Sequence, residues 1–318
     1  MKMNSDWKKI KTALRHKPYI IVGMCSCESD EICRVLDKHN IPYDKADLSY
    51  KQPVWQKLPE EQQVKIREAF AGGRPVIGFC INGSAPEEAI SVPIVWYGLD
   101  AEQNEAGPLV QLDMALDGEV SPYHELVAAN SWGFIFEMRK TAVRLMKGEG
   151  AQECYDRIMT ESRIKQENFE NYVRRDYDPE EYGIGDIPAK YRAGMNMVMK
   201  TIRRRDRRAQ GVSVDQEKNA EKAVLGAYLV GSVTVVESEN TAPSALLDRL
   251  IESERFGVLM LLSGNLSYFY GPNTKVNKLK EHFPDGRVGA GIGNRGFWYS
   301  HYSKPLVLEY VKNMEKKK

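Results

Sequence analysis

The hydrophobic pattern changes its period along the chain. The run PYIIVG (residues 18–23) is short, continuous and apolar, which reads as a buried strand. Residues 30–38 then read as a helix and IPYDKADL as a second short strand. Residues 59–70 have helical spacing and stop at the Gly72-Gly73 pair. RPVIGFCI and VPIVWYGL are the third and fourth strands expected. Strands alternating with helices predict a mainly parallel sheet.

From about residue 108 to 226 the spacing is helical. Residues 123–147 form one expected helix, with a break near Gly133, and residues 151–175 another. After the polar loop DYDPEEYGIGDIP comes a helix over 189–208. Ser213 then looks like the N-cap of a last helix, with Gln216 at the capping-box position. Beyond it the pattern is mixed again. LVGSVTVVES reads as a strand and APSALLDRLIES as a helix. FGVLMLLSG and LSYFYGP read as a hairpin turning at Gly-Asn, and 274–282 as a short helix before the glycine-rich PDGRVGAGIGNRGFW. The layout is an α/β domain over 1–147, a helical connector over 148–228, and a smaller α/β domain over 229–318.

Composition changes this picture little. The 318 residues are 42% hydrophobic and 28% charged, ordinary for a globular chain of this size. A net charge of +1 gives no global field for nucleic acid or membrane. Five cysteines in so long a chain do not make a disulfide framework. The start is charged, and no run approaches the ~18 apolar residues of a membrane helix, so a cytoplasmic protein without membrane contact is expected.

Four features carry candidate chemistry. Cys25-Ser26-Cys27, with Cys33 and Cys80, lacks the paired spacings of a zinc site, and buried free thiols are the plainer reading. Glu28 and Asp30 stand two apart after the first strand, and Asp100 and Glu102 two apart after the fourth. Carboxylates at the carboxyl ends of parallel strands could converge on Mg²⁺ or Mn²⁺, or be solvated acids at helix starts. The glycine-rich segment offers Gly289 and Gly291 as an anion nest, with Arg287, Arg295 and His301 for phosphate; tight turns are the alternative. The run IRRRDRRAQG supplies Arg203, Arg204, Arg205, Arg207 and Arg208 as a partner or nucleic-acid patch, or as an exposed helix with ion pairs.

The order of these features resembles the DHH phosphoesterase superfamily, which includes RecJ-type nucleases and oligoribonucleases. The family's H-x-x-x-D-x-D after the first strand corresponds to Met24, Glu28 and Asp30. Its later lone Asp falls at Cys80 or Asn82, and its D-H-H at Asp100-Ala101-Glu102. Its helical Asp falls at Ser131 in AANSWGFI, and its G-G-G-H segment at PDGRVGAGIGNRGFW. The resemblance implies a two-metal phosphoesterase fold whose metal ligands are mostly replaced. It therefore implies, first, a pseudoenzyme: a non-catalytic binding or scaffold subunit with a protein partner, no cofactor, and nucleotide or nucleic acid as a further ligand. The superfamily has an inactive member of that kind in the replicative helicase of eukaryotes and archaea. The alternative is a Mn²⁺- or Mg²⁺-dependent phosphoesterase on short oligonucleotides or small phosphoesters. In it Glu28, Asp30, Asp100 and Glu102 would hold the ion.

Overall fold

The structure, a computed structural model, describes residues 6–46, 54–93, 106–175, 177, 184–239, 242–252, 257–290 and 295–316. The described residues up to Gly211 form one compact unit and those from Val212 onward another.

The first unit is built on α1 (Asp6–Leu14), β1 (Tyr19–Gly23), α2 (Cys27–Lys38), β2 (Asp44–Ala46), α3 (Glu60–Ala71), β3 (Val76–Phe79) and β4 (Ile90–Val92). Its four strands are parallel in the order β2-β1-β3-β4. β1 and β3 are central and buried, which is why their sequences are continuous apolar runs rather than alternating ones. β4 lies earlier than VPIVWYGL; most of that expected strand lies outside the described residues.

The helical block follows: α4 (Pro108–Leu116), α5 (Pro122–Leu145), α6 (Ala151–Ser162), α7 (Gln166–Arg175) and α8 (Ala189–Ala209). Two expectations are corrected here. α5 runs unbroken through Gly133; a single glycine costs a helix interior only about 1 kcal/mol relative to alanine and need not end it. The expected single helix over 151–175 is two, separated at Arg163, whose backbone is left-handed (φ 56°). The helices expected to form a connector are shared out between the units: α6, α7 and α8 belong to the first, and the next helix to the second.

The second unit comprises α9 (Val214–Leu225), β5 (Tyr228–Val230), β6 (Val233–Ser238), α10 (Pro243–Glu252), β7 (Val258–Ser263), β8 (Leu266–Pro272), α11 (Asn273–His282), β9 (Arg287–Ala290), β10 (Arg295–Ser300) and α12 (Lys304–Lys316). Six strands stand in the order β5-β6-β7-β8-β10-β9, antiparallel except for the β6–β7 pair. Strand alternation sorts the core. Val235, Met260, Phe269 and Trp298 face α11 and α12, while Val236, Leu259 and Leu261 face α9 and α10. The expected hairpin at Gly264-Asn265 is present, with Gly264 at φ 55°. LVGSVTVVES is a hairpin rather than one strand, because Gly231 turns at φ 60°. The capping box at α9 is formed: Gln216 N–H donates to Ser213 Oγ at 3.2 Å, and Ser213 N–H to Gln216 Oε1 at 2.9 Å.

Candidate functional site

β1 ends at Gly23, and the chain turns at once into α2. Ser26 caps the helix, taking the Ser29 N–H at 3.3 Å, and the Ser29 hydroxyl donates to Gly23 O at 2.6 Å. The helix therefore starts at Cys27, three residues before the expected 30. Glu28 and Asp30 lie in its first turn, not in a loop. Two residues apart on a helix means about 200° around the axis, so the two carboxylates point to different sides rather than converging.

Glu28 points to α4. Its Oε1 accepts the Leu109 N–H at 3.0 Å, so it serves as the missing N-cap of a helix whose own cap position, Gly107, has no side chain. A Cβ at Gly107 would sit 2.8 Å from that oxygen, which is why the backbone can come so close only as glycine. The other oxygen is buried without a partner. Burial pushes Glu28 up to about 7; the Leu109 N–H and Ser131 pull against it, and Asp206 adds to it. Asp30 is half-buried, and burial raises its carboxyl too, against the pull of Arg205 and Arg34.

The rest of the turn is sulfur and buried polar groups. The Cys33 thiol donates to Met24 Sδ at 3.8 Å. Cys80, just past β3, has a left-handed backbone (φ 58°), uncommon for a residue with a Cβ, and lies in the field of Glu28 and Cys25. Burial pushes Cys25 up to about 12 and raises Cys27, Cys33 and Cys80 as well, so these thiols are protonated at neutral pH.

α8 closes the turn. Asp206 Oδ1 accepts the Cys27 N–H at 3.2 Å, placing a carboxylate on the N-terminus of α2. Arg203 donates to Asp206 Oδ2 at 3.3 Å and to Asn130 Oδ1 at 2.7 Å, and Asn130 reaches Cys27 Sγ at 3.6 Å. Arg205 donates to Glu31 and to Tyr123 OH, the latter at 2.8 Å.

The basic run is thus corrected. Arg203 and Arg207 are each 2% exposed, Arg205 is half-buried, and Arg204 and Arg208 alone of the five are exposed. It is neither one patch nor an exposed ion-paired helix. The signal was in the pattern: Met195, Met199, Ile202 and Asp206 share one stripe of α8, and Arg203 follows Met199 by four. Sequence reading missed Asp206 and Asn130 because polar residues on such a stripe look like its edge.

The other expected residues scatter. Asp100, Glu102 and Gly291 lie outside the described residues. Gly289 sits in the β9 ladder, where a Cβ would come 2.2 Å from the Phe297 ring, so that ring covers its bare face. Arg295 donates to Gly257 O and lies 5.1 Å over the Tyr270 ring. Arg287 and His301 are exposed.

The described residues at the β1–α2 turn do not fit a hard divalent ion. Glu28 is committed to Leu109 and has its pKa raised, Asp206 is committed to the Cys27 N–H and Arg203, and the remaining neighbours are a thioether and protonated thiols. Among the described residues no three of His, Cys, Asp and Glu are grouped to hold a metal.

No protein-family profile and no curated protein matches the chain. Solved structures do. A DHH-domain protein of the s1p family of ribosomal proteins is similar over 98% of this chain and 89% of its own, at 13% identity and a TM-score of 0.45. RecJ of Thermus thermophilus in complex with Mg²⁺ is similar over 99% of this chain, which spans 52% of RecJ, at 11% identity and a TM-score of 0.45. The pGpG-specific phosphodiesterase PggH of Vibrio is similar over 94% of this chain and 99% of its own, at 10% identity and a TM-score of 0.42. Identities and scores of this size transfer no residue role and no activity.

Proposed function

We propose that this chain is a non-catalytic binding or scaffold protein built on a DHH-like framework. The observation that carries the reading is Asp206 on the N-terminus of α2, backed by Arg203. A helix N-terminus at the carboxyl end of a central parallel strand is a ready anion site in an open α/β sheet. Here the protein's own carboxylate fills it. That pair is 2–3% exposed, so its charges are settled internally. Glu28 supports the same reading, since it is spent on capping α4.

A protein partner fits this role. Leu225 (83% exposed) and Leu229 (72%) stand near Tyr228 where α9 leads into the edge strand β5, apolar surface that a partner would cover. Arg287 offers an exposed cation, and His301 an exposed imidazole, for nucleotide or nucleic acid in the second unit.

The test is turnover. The purified chain, incubated with a short 5′-labelled oligonucleotide and Mn²⁺, should give no product above a protein-free blank. Mn²⁺-dependent cleavage that disappears in Asp30→Asn would establish the phosphoesterase instead.

A further inference from the structure

Residues 7–27 contain five lysines and arginines (Lys8, Lys9, Lys11, Arg15 and Lys17) and no acid, in a chain whose net charge is +1. α1 sorts these residues by its period. Ile10 and Ala13 are buried on the side that packs against α4. Lys8, Lys11 and Arg15 stand at i, i+3 and i+7, within about 60° of one another on the opposite, exposed side. Arg15 lies in the tight turn that ends the helix, where its N–H donates to Thr12 O at 3.2 Å. Trp7 is half-buried beneath the row: Lys8 Nζ and Lys11 Nζ lie 5.7 and 5.9 Å from the centre of its ring.

The row continues past the helix. Lys17 is exposed, with a left-handed backbone (φ 48°), and Arg74 Nε donates to its carbonyl oxygen at 3.0 Å. Arg74 is exposed as well. Lys8, Lys11, Arg15, Lys17 and Arg74 have no carboxylate partner among the described residues. Lys17 and Arg74 shortly precede β1 and β3, which are parallel, so both mark the amino-terminal edge of the sheet. The β1–α2 turn is at the carboxyl-terminal edge, so this surface is separate from it.

A row of uncommitted cations suits a polyanion. From Lys8 to Arg15 the stripe rises about 10 Å, the span of about three phosphates along one strand of a duplex. A lipid surface fits less well, because an interfacial helix needs an unused apolar face and α1 has spent Ile10 and Ala13 on the core. A stacked single strand fits less well too, because Trp7, the one aromatic of α1, lies half-buried under Lys8 and Lys11.

We infer that the solvent face of α1, continued by Lys17 and Arg74, docks the phosphate backbone of double-stranded nucleic acid. Fluorescence anisotropy of a labelled DNA duplex of about 20 base pairs, titrated with the purified full chain, tests this. Affinity should fall with salt at a log–log slope of about −4.5, about 0.9 for each of the five cations. Lys8→Gln/Lys11→Gln/Arg15→Gln should bind at least about tenfold more weakly at ~50 mM salt, with the slope reduced to about −2 and the unfolding midpoint unchanged. Lys17→Gln/Arg74→Gln, which leaves the helix intact, should lower the slope by about 2. The charge-matched Lys278→Gln/Lys312→Gln/Lys316→Gln, at exposed positions of α11 and α12, should bind as the parent does. No binding by the parent, or equal affinity in the α1 variant and the charge-matched control, would overturn the inference. Capture of the chain by anionic phospholipid vesicles but not by the duplex would overturn it too.

Discussion

Glu28 looked like half of a metal-binding pair and is a helix cap. The difference is one of periodicity: a loop lets two acids two apart converge, and a helix sends them about 200° apart. Its burial has a thermodynamic signature. The folded-state value of about 7 lies above the ordinary 4.5, so the folded protein binds the extra proton between those values. The Glu28 contribution to stability falls as pH rises from about 4.5 to 7, and then levels off, by about 3 kcal/mol in all. Glu28→Gln keeps an acceptor for the Leu109 N–H and removes the charge. It should be stabilising at pH 8, near neutral at pH 4.5, and should flatten that slope in urea titrations. A slope identical to the parent's would place the titrating group elsewhere. Asp206 is the complementary case, a buried charge that is paired. Asp206→Ala leaves the Cys27 N–H and the Arg203 guanidinium without that carboxylate, and should cost about 3–5 kcal/mol by denaturant unfolding. A loss below about 1 kcal/mol would mean the pair does not hold α2 to α8.

At the scale of elements, what could be read in the sequence was what depends on local chemistry. β1 and β3 are legible because central parallel strands are apolar throughout. The β7–β8 hairpin is legible through its Gly-Asn turn, and α9 through its capping box. Ser213→Ala should destabilise the second unit by about 1 kcal/mol, since it removes an acceptor from an otherwise open helix end. An unchanged unfolding midpoint would show that α9 is held by packing alone. The start of α2 was not legible, because Ser26 caps it with a side chain that reads equally well as loop. The split between α6 and α7 was not legible either, since Arg163 adopts a left-handed backbone without being glycine or asparagine. The partners of α8 were the largest omission. A run of arginines resembles a surface patch, and only tertiary packing shows that Arg203 and Arg207 turn inward.

For the molecule as a whole, the sequence brings the β1–α2 turn into view, but not the partners that meet it there. The motif order led to the β1–α2 turn, where Met24, Glu28, Cys80 and Ser131 gather near one strand end. What they do there depends on α8, 179 residues away in sequence, whose Asp206 accepts the Cys27 N–H and is paired with Arg203. The central claim is that this turn is satisfied from within and holds no divalent ion. Isothermal titration of the purified chain with Mn²⁺ tests it most directly. The account predicts no saturable binding that depends on Glu28 or Asp30. Stoichiometric micromolar binding that is abolished by Asp30→Asn or Glu28→Gln, in variants that remain folded, would contradict it.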